Sequence, residues 1–178
     1  MKPLILWGGT DISSHLYNEP KSKFSQTADV QRDKKEWASI SDSIDNKQPI
    51  VGICRGAQLL CAYNGGKLYQ HTVPQESHNH AIQTKEHFFY SVAAGHHQIM
   101  NLSLCEEDYE ILGVNPTSVA IFAEDSSYII EHDTIEIVWF PKTRCLAVQP
   151  HPEWEPNDTP FLKWLNETMK KLGIYHVF

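Results

Sequence analysis

The apolar positions in the first third of the chain alternate between short continuous runs and a helical period. Residues 4–7 and 49–53 are short apolar runs next to glycine or proline, which is typical of buried strands. Between them, apolar residues at helical spacing predict an amphipathic helix over residues 27–44. A second helix is predicted over residues 55–63, closed by Asn64-Gly65-Gly66. This alternation of strands and helices favours an α/β fold.

The rest of the chain carries runs rich in β-branched and aromatic residues, which predict strands. They cover residues 87–92, 109–114, 118–123, 128–132, 134–140 and 145–149. The chain ends in a predicted helix with Asn157 or Asp158 as its cap, Pro160 in its first turn and Gly173 beyond its last. Together these elements predict an α/β core with a mixed sheet.

Length and charge narrow the classes of protein. With 178 residues and no evident linker, the chain is expected to be one domain over residues 1–178. A domain of this size can bury a core without a structural metal or disulfide bonds. A net charge of −7 and an isoelectric point near 5.8 argue against binding to nucleic acid.

The N-terminus and the cysteines bear on location. The apolar run at residues 4–7 is too short for a signal peptide or a membrane span, so a cytoplasmic protein with no membrane partner is expected. The cysteines lie far apart without a Cys-x-x-Cys pair, so free thiols are expected.

Cys54 lies between Gly52 and Gly56, where an apolar run meets a predicted helix. A nucleophile on such a sharp turn needs glycines on both sides, because the backbone is strained and its neighbours pack closely. The helix terminus favours a thiolate, and the Arg55 amide is placed as an oxyanion donor. Lowering a thiol pKa from about 8.5 to roughly 6.5 requires about 2.7 kcal/mol, more than the roughly 2 kcal/mol that a helix terminus supplies at best. A cationic partner is therefore predicted.

The candidate partner is His151, which follows the last predicted strand and stands between two prolines. Glu153, two residues further on, would lie on the same side of an extended chain and orient the imidazole. A single cysteine at a strand end is usually a core residue, and a single histidine in a turn is usually solvated. Their occurrence together favours a catalytic Cys-His-Glu triad.

These segments resemble the class I glutamine amidotransferases and, within them, the gamma-glutamyl hydrolase branch of the peptidase C26 type. The resemblance implies a flavodoxin-like three-layer fold with a mixed sheet. It is carried by the glycine loop at residues 7–12, the helix at residues 32–36, the elbow at residues 52–58, the segment at residues 65–70, the His-His-Gln segment at residues 96–98 and the triad end at residues 149–153.

The resemblance also implies the chemistry. Cys54 would attack a γ-carboxamide and form a glutamyl thioester, which water activated by His151 would then hydrolyse, with Glu153 orienting His151. The amides of Gly9 and Arg55 would hold the oxyanion. The substrate would be contacted by Gln58 and by the backbone near Gln98 and Ile99.

The sequence predicts neither a metal site nor a cofactor. Four histidines lie within a short stretch, at positions 71, 78, 80 and 87, but their spacing matches no common ligand pattern.

Three features depart from the family pattern. Trp7 stands where the family has proline, and Ala94 and Gly95 replace a serine and a bulky residue. The family also has two strands and two helices before its glycine loop, so the chain is expected to be N-terminally shortened. The strand at residues 4–7 would then be an open sheet edge, and we expect association into a homo-oligomer or a later strand that covers it.

Three functions are compatible with the resemblance. The first is a free-standing cysteine hydrolase acting on the γ-glutamyl amide of glutamine or of a small γ-glutamyl conjugate. The second is the glutaminase subunit of an amidotransferase, which delivers ammonia to a separate synthetase partner. The third is a non-catalytic relative used for binding, against which the intact Cys54, His151 and Glu153 argue. The Arg55 form of the elbow favours the first.

Overall fold

Strands outnumber helices in the part of the chain that the computed structural model describes, which is residues 1–73, 79–117, 119–122, 127–130, 133–175 and 177. The elements within those ranges are β1 (Leu4–Leu6), α1 (Val30–Asp45), β2 (Ile50–Ile53), α2 (Arg55–Tyr63), β3 (Lys67–Tyr69), β4 (Thr72–Val73), β5 (His80–Thr84), β6 (Phe89–Val92), β7 (Ile99–Asn101), β8 (Glu110–Asn115), β9 (Val119–Phe122), β10 (Ser127–Ile130), β11 (Thr134–Phe140), β12 (Cys145–Val148) and α3 (Pro160–Lys171). Short 3-10 turns lie at Ser14–Tyr17 and Pro152–Trp154.

The main sheet runs in the order β1-β2-β12-β11-β8-β5-β6, with β7 pairing to β3 and β11. The β1–β2 and β2–β12 pairs are parallel and the other pairs are antiparallel, so the predicted mixed sheet is confirmed. All four residues of β2 are buried, as expected for a strand covered on both faces. A separate small sheet has the order β10-β9-β4.

Two cores form on opposite faces of this sheet and give the fold three layers. Ile40 of α1 and Leu60 of α2 pack in one core with Ile50. Phe161 of α3 packs in the other with Val51. Adjacent residues of β2 therefore point to opposite faces, and a helix covers each face.

Capping residues fix where two of the helices begin. The carboxylate of Asp29 accepts hydrogen bonds from the N–H groups of the first turn of α1, so this helix begins at Val30. For α3 the predicted caps are wrong, because Thr159 is the cap and accepts from Leu162 at 3.3 Å. Asp158 has a φ of 68°, which is incompatible with the extended backbone of a cap. None of the described helices is both long and apolar enough to cross a bilayer.

The strand β1 lies at one end of the main sheet and pairs only with β2 among the described residues. No later strand in those ranges covers it, so that part of the expectation is wrong. Association through this edge stays a prediction.

Candidate active site

The predicted elbow is a strained turn between β2 and α2. Cys54 has a φ of 51° and a ψ of −106°, an unusual conformation for a residue with a side chain. Its backbone is held on both sides, since its N–H donates to the Val148 carbonyl at 2.9 Å and its carbonyl accepts from the Gln58 N–H at 3.1 Å. The parallel pairing of β2 with β12 therefore fixes the Cys54 backbone at the end of β12.

The flanking glycines are required by close packing, as predicted. A Cβ atom on Gly52 would overlap the carbonyl oxygen of Gly56. A Cβ atom on Gly56 would overlap the carbonyl oxygen of Leu6 on β1. Both obstacles are backbone atoms, so a larger residue at either position requires displacement of the strand or the helix.

His151 follows β12 and is held by two hydrogen bonds. Its Nδ1 lies 2.7 Å from Oε1 of Glu153, and its backbone N–H donates to the Ala93 carbonyl at 2.8 Å. A carboxylate accepts here, so Nδ1 carries the proton and Nε2 is free to act as a base. Glu153 reaches the imidazole from a 3-10 turn at Pro152–Trp154, whereas the sequence favoured an extended segment.

An indole covers one face of the His151 ring. Trp154 stacks on it with ring centroids 3.6 Å apart and an interplanar angle of 2°. Gly95 makes room for this indole, because a Cβ atom there would lie 2.9 Å from Cζ3 of Trp154. The absence of a bulky residue at position 95 is thus matched by a bulky residue at position 154.

The cysteine and the histidine converge on the glycine loop that follows β1. A Cβ atom on Gly8 would lie 2.9 Å from Cε1 of His151 and 3.6 Å from Cβ of Cys54. The two side chains, nearly a hundred positions apart in the sequence, therefore flank the same point.

The resting thiol is protonated. Burial, the largest cause, and the nearby Glu153, Glu136 and Asp11 carboxylates together raise the pKa of Cys54 from 9.0 to about 12. The hydrogen bond from the Arg55 backbone N–H lowers this pKa but does not compensate for the burial. Desolvation therefore outweighs the hydrogen bond from the start of α2, and the helix terminus alone does not produce a thiolate, as expected from the sequence.

The glycine loop is anchored to α1 by Arg32. Its guanidinium donates to the carbonyl oxygens of Trp7 at 2.7 Å and Gly8 at 3.1 Å, and its Nε donates to Glu36 at 2.8 Å. Gly9 leaves space for this side chain, because a Cβ atom there would clash with Nη1 of Arg32 and the guanidinium would have to shift. The anchor holds the Gly9 amide, a predicted oxyanion donor, in a fixed loop.

The Arg55 side chain has a role that the sequence did not predict. It is 1% exposed and forms ion pairs with Glu36 and, at 2.5 Å, with Asp33. Asp33 in turn accepts from the N–H and hydroxyl groups of Ser13 at 3.0 and 2.5 Å. These contacts connect the elbow, α1 and the segment after the glycine loop in one buried network.

Two of the predicted substrate contacts, Gln58 and Gln98, lie next to each other. Gln58 is buried, and its Nε2 donates to the Gln98 carbonyl at 3.2 Å and lies 3.5 Å from Oε1 of Gln149. The Gln98 side chain donates to the Gln70 carbonyl at 3.2 Å. Ile99 packs its side chain in a separate small core, so this side chain is not available to a substrate.

The two histidines of the His-His-Gln segment point to different partners. His97 contacts Asp11 of the glycine loop at 2.9 Å. His96 is fully buried, with Nε2 3.8 Å from Glu136, and burial lowers its pKa. His80 also approaches Glu136, so this group has the donor types of a metal site, although the sequence predicted none.

Comparison of the sequence with known proteins shows the family to which this chain belongs. The family model of peptidase C26 matches residues 1–153. A putative glutamine amidotransferase-like protein, YvdE, of Lactococcus lactis is 32% identical over 174 residues, covering 85% of this chain and 66% of that protein. The carbamoyl phosphate synthase small chain of Streptococcus agalactiae is 32% identical over 124 residues, covering 67% of this chain and 30% of that protein. This chain thus spans less than two thirds of the length of these relatives.

A solved structure supports the fold. The crystal structure of a glutamine amidotransferase from Thermotoga maritima matches with a TM-score of 0.53 at 15% identity, over 82% of this chain and 59% of that chain. The predicted glutamine amidotransferase-like α/β fold is therefore confirmed. Because the family model covers most of the sequence, the chain belongs to the peptidase C26 family of glutamine amidotransferase-like proteins.

Proposed function

We propose that this protein is a cysteine hydrolase that cleaves the γ-glutamyl amide bond of glutamine or of a γ-glutamyl conjugate through a thioester on Cys54. One observation carries the proposal: Cys54, on a strained turn, and His151, hydrogen-bonded to Glu153, flank the same point beside the glycine loop. This is the arrangement of nucleophile, base and orienting group that acyl transfer requires.

In the first half-reaction the thiol proton moves to Nε2 of His151 while the sulfur bonds to the γ-carbonyl carbon. Because the pKa of Cys54 is about 12, the proton leaves during the attack rather than before it. The amides of Gly9 and Arg55 stabilise the oxyanion. The carbon–nitrogen bond then breaks, and the amine leaves with the proton that His151 held.

In the second half-reaction water attacks the thioester carbon. His151 takes the proton of this water, and Glu153 stabilises the imidazolium that forms. The carbon–sulfur bond breaks, glutamate is released, and the proton returns to the sulfur. The buried amides of Gln58 and Gln98 are suited to recognise the polar glutamyl group, because they are already desolvated.

A second function, ammonia delivery to a separate synthetase, is favoured by one relative. The matching protein of Streptococcus agalactiae is the small chain of a carbamoyl phosphate synthase, and 67% of this chain aligns with it. In this case ammonia formed from glutamine would pass to a partner.

Glutamate release from glutamine and from a panel of γ-glutamyl amines tests both functions. Turnover by the purified protein alone supports a hydrolase, whereas no turnover until a synthetase is added supports ammonia delivery. Cys54→Ala should abolish turnover and Cys61→Ala should not, because Cys61 is a fully buried core residue that donates to the Lys67 carbonyl. Equal activity of wild type and Cys54→Ala would contradict the proposal.

A further inference from the structure

Three side chains that could bind a metal ion lie close together at the main sheet. They are His80 on β5, His96 in the segment before β7, and Glu136 on β11. One ligand atom from each lies within 4.8 Å of those of the other two. Glu136 is 0% exposed and His96 is 3% exposed, and the His80 side chain is 13% exposed. Sheet pairing brings these residues together from distant parts of the sequence, which explains why spacing alone gave no metal pattern.

No group in the described part of the chain donates a hydrogen bond to the carboxylate of Glu136. Both of its oxygens are buried, and neither accepts a hydrogen bond from any residue in the described ranges. Its neighbours are Nε2 of His80, 3.3 Å from Oε1, and Nε2 of His96, 3.8 Å from Oε2. A buried carboxylate without donors is strongly unfavourable, so a positive charge is expected between these side chains.

The ring of His96 is oriented as in a metal ligand. Its Nδ1 lies 3.1 Å from the carbonyl oxygen of Gln98, which can only accept, so Nδ1 carries the proton. Nε2 then faces Glu136 and is among the buried atoms with no hydrogen-bond partner in the described part of the chain. A metal-bound histidine commonly donates its other ring N–H to a backbone carbonyl, which fixes the tautomer in this way.

The distances between these atoms are compatible with ligands of one ion. Ligand atoms about 2.0–2.2 Å from a tetrahedral zinc ion lie about 3.3–3.6 Å from each other. Nε2 of His80 lies 3.3 Å from Oε1 of Glu136, which falls in that range, and Nε2 of His96 lies 3.8 Å from the other carboxylate oxygen, Oε2, which is slightly larger. Two imidazoles and one carboxylate form a zinc donor set that leaves the fourth position for water.

We propose that His80, His96 and Glu136 bind one divalent transition-metal ion, with zinc preferred for this donor set. The ion compensates the buried charge of Glu136 and joins β5, the segment before β7, and β11. It thereby stabilises the side of the sheet that supports the active site. The link is direct, since the Gln149 N–H donates to the Glu136 carbonyl at 2.8 Å and His151 follows two residues later.

Metal analysis of reloaded protein tests the proposal. Each protein is treated with a chelator, incubated with zinc, desalted and measured for zinc content and for affinity by calorimetry. Wild type should hold about one zinc ion per chain, and His80→Ala and Glu136→Gln should bind it more than about 10-fold less tightly, because loss of a residue that only orients a ligand already costs about 10- to 100-fold in affinity. The matched control is His87→Asn, which changes an exposed histidine at a φ of 65° that asparagine tolerates. This control should bind zinc as wild type does.

A cobalt spectrum distinguishes this site from the active-site thiol and does not require stable ligand variants. Cobalt bound by wild type and by Cys54→Ala should give the visible bands of a tetrahedral ion without a thiolate charge-transfer band. A thiolate band, loss of binding in Cys54→Ala, a wild-type chain that binds neither metal, or full zinc binding by a folded Glu136→Gln would each overturn the proposal.

Discussion

The imidazole of His151 and the indole of Trp154 lie face to face, 3.6 Å apart and within 2° of parallel. Trp154 is nonetheless 58% exposed, so it covers the histidine from the solvent side. Together with the hydrogen bond from Nδ1 of His151 to Glu153, the stack restricts the ring to one orientation. Two of the three residues of a single turn, Pro152–Trp154, therefore determine where the proposed base points.

Replacing Trp154 with alanine should lower kcat of the proposed hydrolase by about 5- to 10-fold with little change in KM. A stacked aromatic pair is worth about 0.5–1.5 kcal/mol, and its loss leaves the base free to rotate. Trp154→Phe should retain most of the activity. Phe88→Ala is a matched control, since Phe88 is also 58% exposed. Steady-state kinetics measure the effect, and an unchanged kcat in Trp154→Ala would show that the stack does not orient the base.

Replacing Arg32 with alanine should slow catalysis because the Trp7 and Gly8 carbonyls lose their donor and the Gly9 amide is no longer held. Loss of one oxyanion donor costs about 10²–10³-fold in kcat. Displacement of the loop weakens the Gly9 donor without removing it, so kcat is expected to decrease on the order of 10- to 100-fold.

Lys35→Ala is the control for this prediction, since it removes an exposed positive charge from the same helix. It should leave kcat unchanged. If both variants lose activity equally, the effect comes from the charge of the helix and not from the loop.

The Gly56→Ala change should prevent stable folding, because the added Cβ atom meets the backbone carbonyl of Leu6 at the β1–α2 contact. Overpacking costs typically about 1–3 kcal/mol, and more where the obstacle is backbone. Gly113→Ala is the matched control, since its added Cβ atom would lie 3.5 Å from the Ile137 side chain, an ordinary contact. Thermal unfolding should show a large decrease in Tm, or no folded protein, for Gly56→Ala. Gly113→Ala should unfold at nearly the Tm of wild type.

The sequence predicted the elements around the elbow well, because their patterns are local. The helix expected over residues 55–63 is α2 with the same bounds, and the strand expected over residues 134–140 is β11. By contrast, β3 and β7 have only three residues each and were not predicted. They pair with each other, and long-range pairing rather than local propensity makes them strands.

The candidate site likewise has features that local sequence predicts and features that depend on long-range contacts. The positions of Cys54 and of the Nδ1–carboxylate pair of His151 and Glu153 follow from glycines and prolines next to them in sequence. The ion pairs of the Arg55 side chain with Asp33 and Glu36 join separate elements, so no spacing rule predicts them. The raised pKa of Cys54 was not predicted either, because the burial that causes it depends on the whole fold.

The buried thiol of Cys61 predicts a loss of stability at alkaline pH. Burial raises its pKa from 9.0 to about 12, so between those values the unfolded chain loses this proton while the folded chain keeps it. The contribution of the neutral Cys61 thiol to the stability of the folded chain is fully present below pH 9 and is lost as the pH rises toward 12. The free energy of unfolding should therefore decrease by up to about 1.4 kcal/mol per pH unit through this residue.

Urea denaturation of wild type and Cys61→Ala at several pH values between 8 and 11 measures this contribution. Alanine leaves a cavity, so the variant is less stable at pH 8, but it has no thiol to ionise. The stability difference between the two proteins should therefore narrow above pH 9. Cys105→Ala is the comparison, because Cys105 is less buried and the upward shift of its pKa is smaller, so the difference should narrow less. A constant difference for Cys61→Ala across this range would mean that its thiol ionises equally in the folded and unfolded chains.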